Sequence, residues 1–197
     1  MSVPPVPPLL LASTSPQRRA ILQQLGVPFE VEAPRYVEDD EAGVAPVELV
    51  RAHAQGKARS LAGELEERPV LGVDTTVVLD GRIYAKPASA AEAAAMLDAL
   101  AGRTHEVVSG LCLVTPGWEE LHHEVTRVSF RPVDARDLAA YVATEEWRGR
   151  AGSYAIQGLG AGFVERIEGD YLNVVGLPAA LLVRLLVKRF PGLYGFG

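Results

Sequence analysis

A mixed α/β fold, with a mixed central sheet flanked by helices, is predicted from three features of the sequence. Short apolar runs alternate with segments of helical periodicity, several helix starts carry cap residues, and two long alternating segments follow one another in mid-chain. Strand–helix alternation alone would suggest a parallel sheet, but the paired antiparallel signals in the middle argue for a mixed one. At 197 residues and 48% hydrophobic, the chain is long enough for one substantial core. Residues 1–8 read as a flexible, proline-stiffened leader and residues 9–197 as a single domain.

Taken in order, Leu9 to Ala12 reads as a buried strand, followed by Ser15 as N-cap and Pro16 at the first helical position. Ile21, Leu22 and Leu25 give that helix an apolar stripe, which Gly26 stops. Phe29 to Val31 is a second short apolar run, ahead of the acidic stretch Glu38 to Glu41. Val47 to Leu61 has helical periodicity and carries Lys57 near its end. Val70 to Val73 reads as a strand into Asp74, and Val77 to Tyr84 as a hairpin about Asp80-Gly81, residues suited to positive φ. Ser89 and Glu92 make a capping box for an alanine-rich helix to about Leu100. His105 to Val114 and Glu124 to Val133 read as sheet strands, and Asp134 caps a helix through Val142. Ala155 to Phe163 is glycine-rich, Val164 to Val175 is strand-like about Gly169-Asp170, and Leu177 to Phe190 forms a last helix.

Composition excludes several classes of function. With 19 Lys+Arg against 25 Asp+Glu the formal net charge is −6, so no global positive field draws nucleic acid or an anionic membrane. Phosphate chemistry would have to rest on a local basic cluster. No apolar stretch approaches the roughly 18 residues of a membrane span. The single cysteine, Cys112, sits within an apolar run, where it reads as a small buried hydrophobe, and its solitude fits a reducing, cytoplasmic compartment.

The candidate site residues each have two readings. Arg18 and Arg19 are either solvated helix charges or, with the Ser13 and Ser15 hydroxyls and the N–H groups of a helix N-terminus, part of an anion cradle. No Gly-x4-Gly-Lys-Ser/Thr motif is present. Asp74 at the end of an apolar run either caps a Thr75-Thr76 turn or is a functional carboxylate held in a partly dry setting. Lys86 is a surface residue or, before Pro87, a lysine held in a fixed direction. The Gly158 to Gly162 segment lacks the spacing of a dinucleotide fingerprint, so close backbone approach to a ligand or tight packing is the better reading. His122 and His123 point to opposite faces of a strand and do not make a zinc site.

Three blocks taken together are more specific than any one of them. "LASTSPQRRAILQQLGVPFEV", "VLGVDTTVVLDGRIYAKP" with "LAGRTHEVVSG", and "AGSYAIQGLGAGFVERIEGDYLNVVGLP" resemble, in order and spacing, the Maf family of nucleoside triphosphate pyrophosphatases. The resemblance implies two lobes around a cleft, similar to inosine triphosphate pyrophosphatases, and hydrolysis of a nucleoside triphosphate to monophosphate and pyrophosphate with Mg²⁺ or Mn²⁺. It matches Asp74 to the family's catalytic carboxylate. Ser13, Ser15 and Arg18 match its N-terminal phosphate-binding motif, Lys57 the lysine of its "KA" helix, and Lys86 its "KP" lysine. Glu38 is matched to an acidic residue that helps Asp74 hold the metal. Gln17, Thr75 and Gln157 fall at positions tied to substrate choice: Thr75 and Gln157 side with the dTTP/UTP branch against the branch associated with 7-methyl-GTP, whereas Gln17 replaces the arginine of the first branch. Homodimerisation is a further expectation of the resemblance. A nonenzymatic nucleotide-binding regulator of cell division is the competing class, disfavoured by a carboxylate amid the basic clamp.

Overall fold

The computed structural model describes residues 7–39, 43–63 and 68–197. Most of the expected leader and the acidic residue Glu41 therefore lie outside the described residues. Seven strands and six helices are arranged as β1 (Leu9–Ala12), α1 (Pro16–Gln24), β2 (Phe29–Glu32), α2 (Pro46–Ala62), β3 (Val70–Leu79) and β4 (Arg82–Tyr84) among the described residues of the first part. They continue as α3 (Ala90–Leu100), β5 (Thr104–Thr115), β6 (Trp118–Phe130), α4 (Ala135–Ala143), β7 (Val164–Glu168), α5 (Tyr171–Val175) and α6 (Ala179–Arg189). Two short 3₁₀ turns, Ala151–Ser153 and Leu159–Phe163, lie between α4 and β7. The sheet order is β2-β1-β3-β5-β6-β7, with β4 on β3. β1 pairs in parallel with β2 and β3, while β3–β4 and β6–β7 are antiparallel, so the sheet is mixed, as expected.

Three expectations need correction. Asp74 does not end a strand: β3 continues through Thr75 and Thr76 to Leu79, two β-branched residues suited to a pleated backbone. β6 begins at Trp118, six residues before Glu124. The segment after Gly169 is the helix α5, started by the Asp170 Oδ1 accepting the Leu172 N–H at 2.8 Å, and not the second arm of a hairpin.

The chain divides into two compact units: Met1–Asp74, Ser109–Glu124 and Gly176–Gly197 form one, Thr75–Val108 and Val125–Val175 the other. In the first unit, α2 lies on the sheet through its buried face Leu49, Val50, His53, Ala54, Lys57, Ala58 and Leu61. Two glycines make the approach close. A Cβ at Gly72 in β3 would strike the Ala54 carbonyl oxygen and the Ala58 backbone, and one at Gly110 in β5 would strike the Val50 carbonyl. Ala54 and Ala58 on the helix side are also small, and with Leu10, Ala12, Leu61, Val70, Cys112 and Val114 they form one core cluster. Cys112 is fully buried there and burial pushes its thiol up to about 12, so it is the inert hydrophobe expected. At the C-terminal helix, Glu120 accepts from Lys188, Arg189 and His122 at 2.7–2.8 Å. The Lys188 and His122 contacts, with Arg189, outweigh desolvation and draw its carboxyl down to about 2. His122 is thus engaged with Glu120.

The second unit closes on a different core. Val77, Leu97, Val107, Val128, Phe130, Tyr141, Trp147, Tyr154 and Phe163 are all buried in it. The β3–β4 turn is Asp80-Gly81, with φ of 51° and 77°, the conformation expected of that pair. Ser89 and Asp134 cap α3 and α4 by accepting the Glu92 and Asp137 N–H groups. Glu92 reaches back to the Ala88 N–H at 2.7 Å rather than to Ser89.

The helix–strand contact at Gly72 yields a stability expectation. Gly72→Ala should lower the unfolding free energy by about 2–3 kcal/mol, because a backbone must move to admit one methyl. Gly63→Ala, where a Cβ meets nothing within 4 Å, should stay within about 0.5 kcal/mol of the parent chain. Urea unfolding of the three proteins measures both.

Candidate functional site

The turn from β1 into α1 is built from hydroxyl groups. Ser13 is buried, and its backbone N–H reaches the Leu11 and Glu32 carbonyls at 2.9 and 3.1 Å. Its Oγ accepts the Ser15 N–H at 3.1 Å and the Arg18 guanidinium at 3.2 Å, leaving the hydroxyl proton as its remaining donor. Ser15 is the N-cap, accepting the Arg18 N–H, with Pro16 at the first helical position. Its hydroxyl donates to Gln17 Oε1 at 3.0 Å, so the Gln17 carboxamide is folded back onto the cap. Arg18 Nε also donates to the Gly176 carbonyl at 3.0 Å, which holds the guanidinium plane against the turn. Arg19 is exposed, and the two arginines therefore separate as site and surface residues.

The second component comes from α2 and β3. Lys57 is buried, 7% exposed in its side chain, and its ammonium donates to Asp74 Oδ1 at 2.6 Å and pairs with Glu38 Oε1 at the same distance. Gly72 and Asp74 are two residues apart on one strand face, while Ala54, Ala58 and Lys57 share one helix face, so the close approach at Gly72 delivers Lys57 to Asp74. Desolvation alone would raise the Asp74 carboxyl. The charges of Lys57 and Arg18, the Lys57 hydrogen bond and the field of His53 override it and hold the carboxyl below the ordinary carboxylate range. For Arg18 burial dominates and pulls the guanidinium down, opposed by Asp74 and Glu38. Two cations and two carboxylates thus balance one another.

Two contributors escaped the sequence reading. His53, one helical turn before Lys57 and 2% exposed, meets the Tyr36 hydroxyl through Nδ1 at 3.1 Å. The Tyr36 ring lies where a Cβ at Gly56 would be, and its edge faces the His53 ring at 5.7 Å between centroids. Tyr36 sits two residues before Glu38, so this contact anchors the loop that brings Glu38 to Lys57. The i, i+4 spacing of His53 and Lys57 on an otherwise apolar face was the signal available.

Ser13, Ser15, Gln17, Arg18, Glu38, Lys57 and Asp74 therefore belong together in the first unit. Thr75, Lys86 and Gln157 belong to the second. Thr75 follows Asp74 in β3, on the opposite strand face. Lys86 is exposed beside a buried Pro87, and Gln157 is exposed beside a buried Ile156. Among the described residues no group of three or more His, Cys, Asp or Glu side chains gathers as a metal cage. The donor set of Asp74 and Glu38, two carboxylates converging on one ammonium, nevertheless fits the way Mg²⁺ is commonly bound, through one or two carboxylates completed by phosphate oxygens and water.

Removing the ammonium should weaken the depression of the Asp74 carboxyl. In Lys57→Met the carboxyl should titrate higher than in the parent chain, because desolvation is then opposed by fewer neighbouring charges. Carboxyl-detected NMR of the two proteins measures this, and stability linked to Asp74, present above the ordinary carboxylate pKa and lost as the pH falls through the depressed value, should weaken in the variant.

A family model described as "Maf-like protein" matches residues 8–189. The dTTP/UTP pyrophosphatase of Nitratidesulfovibrio vulgaris is 50% identical over 184 residues, 92% of this chain and 88% of that one. Those of Pelotomaculum thermopropionicum and Deinococcus radiodurans are 44% and 42% identical, covering 91% and 97% of this chain and 95% and 96% of theirs. Among solved structures, the Staphylococcus aureus Ham1 protein overlays 62% of this chain and 71% of its own at a TM-score of 0.45 and 17% identity. No helix among the described residues is long and apolar enough to cross a membrane. With a match spanning nearly its whole length, the chain belongs to the Maf family.

Proposed function

We propose that the chain hydrolyses dTTP and UTP to the nucleoside monophosphate and pyrophosphate. The observation that carries the reading is the Lys57 ammonium held between Asp74 and Glu38 beside Arg18, in a chain 42–50% identical to proteins named for that activity. A nucleotide-binding regulator would need cations for the phosphates. It would not need an ionised, partly buried carboxylate among them.

The residues divide the work as follows. Arg18, fixed by Ser13 and Gly176, and Lys57 meet the triphosphate oxygens, and Lys86, in the second unit, is a further candidate cation for phosphate. As Lys57 turns from Asp74 toward phosphate, Asp74 loses its strongest neutralising neighbour and its proton affinity rises. Asp74 then accepts a proton from the water that attacks the α-phosphorus, the bond from that phosphorus to the bridging oxygen breaks, and pyrophosphate leaves with the bond electrons. Asp74 and Glu38 would hold a divalent cation, Mg²⁺ or Mn²⁺, whose chemistry is to neutralise the triphosphate and stabilise the leaving pyrophosphate. A single, buried cysteine, Cys112, is in keeping with a reducing, cytoplasmic setting.

Base selection falls to Gln17, Thr75 and Gln157. Gln17 accepts the Ser15 hydroxyl proton, which an arginine cannot do, so its carboxamide NH₂ is turned to its second role as donor.

Asp74→Asn should lower pyrophosphate release from dTTP by about 10²–10⁴-fold with the fold retained by circular dichroism. An unaltered rate in the folded variant would remove Asp74 from the chemistry. Gln17→Arg should raise dTTP and UTP turnover in a panel of nucleoside triphosphates assayed with Mg²⁺ and Mn²⁺. No change in rate or preference would remove Gln17 from specificity.

A further inference from the structure

The glycine-rich segment is gripped by groups that take no part in binding phosphate. The Gly158 N–H donates to the Ala155 carbonyl at 3.1 Å, closing a four-residue turn whose second residue, Ile156, is buried and whose third, Gln157, is exposed. Immediately after this turn, the Glu146 carboxylate accepts the Leu159 N–H through Oε1 and the Gly160 N–H through Oε2, both at 3.0 Å. At the other end of the turn, the Tyr141 hydroxyl oxygen accepts the Ala155 N–H at 3.1 Å, and the Glu146 carboxylate is close enough to bear on the same hydroxyl electrostatically. The glycines belong to this clamp. A Cβ at Gly158 would strike the Glu146 carboxylate, and one at Gly160 would come within 2.8 Å of the Ala155 carbonyl. Trp147, buried beside Glu146, donates its indole N–H to the Val142 carbonyl at 2.9 Å and fixes the base of the clamp.

We propose that Glu146, seconded by Tyr141, is a positioning residue for nucleobase selection: it holds the backbone of Ala155 to Gly160 so that Gln157 is presented in one orientation. The proposal rests on the reading of the chain as a dTTP/UTP pyrophosphatase with Gln157 among its selecting residues. Selection by a carboxamide depends on where its donor and acceptor stand, and two charge-assisted bonds to adjacent amides fix that better than a neutral loop would. A glutamine at 146 has the same size but offers one acceptor oxygen and turns an NH₂ toward the second amide.

The experiment uses full-length parent, Glu146→Gln and Tyr141→Phe proteins with dTTP, UTP and GTP. In Glu146→Gln, kcat/KM for dTTP and UTP should fall about tenfold through KM, with kcat within about twofold and GTP turnover unchanged, so that discrimination narrows. Tyr141→Phe, which keeps both carboxylate–amide bonds, should shift the same ratio less. An equal loss on all three nucleotides, or an unchanged ratio in both variants, would overturn the proposal. Amide hydrogen exchange at Leu159 and Gly160 reads the clamp without any substrate. It should quicken at least about tenfold in Glu146→Gln, and unchanged exchange would overturn the clamp even if the parent protein released no pyrophosphate and the functional reading itself fell.

Discussion

Contact between the backbone of α2 and that of β3 at Gly72 is the constraint on which the rest of the site depends. A strand with any side chain at that position would hold the helix away, and Lys57 would no longer reach Asp74. Gly110 repeats the device one strand over, beneath Val50, so the helix is seated at two points along its length. Close seating has an electrostatic consequence. It brings an ammonium into a poorly solvated setting, where, with Arg18, it helps hold a carboxylate ionised against desolvation and is shared with a second one.

The balance of Arg18 and Lys57 against Asp74 and Glu38 explains how such groups coexist without an unpaired buried charge. It also describes a site poised for exchange. An incoming polyanion offers the two cations partners of higher charge density, and the carboxylates released from them are those to which the proposed function gives the chemistry. Ser13, Ser15 and Gly176 keep Arg18 oriented throughout, since these contacts use backbone and hydroxyl groups that the exchange does not touch.

Much of this was legible from local chemistry. Ser15-Pro16, Ser89 with Glu92, and Asp134 mark three helix starts because capping is written in adjacent residues, and Asp80-Gly81 marks a turn for the same reason. The misreadings arose where distant groups decide. Asp74 looked like a strand terminus because a carboxylate within an apolar run is unfavourable, and only Lys57 and Arg18, far away in sequence, allow β3 to continue through it. Tyr171 to Val175 is rich in residues that favour strands, yet Asp170 closes an Asx turn and helix follows. Glu146 gave no local sign, because its role lies thirteen residues onward, in the amides of Leu159 and Gly160. Glycines at 158 and 160 were visible, and the structure shows close packing at both.

The claim that Lys57 and Asp74 work as one unit is tested most directly by a double-mutant cycle. Lys57→Met, Asp74→Asn and the double variant, all folded, would be compared with the parent for pyrophosphate release from dTTP. Groups that act together should be strongly non-additive, the double variant losing little more than the worse single one. Losses that simply multiply would mean that the two side chains act independently and would contradict the account.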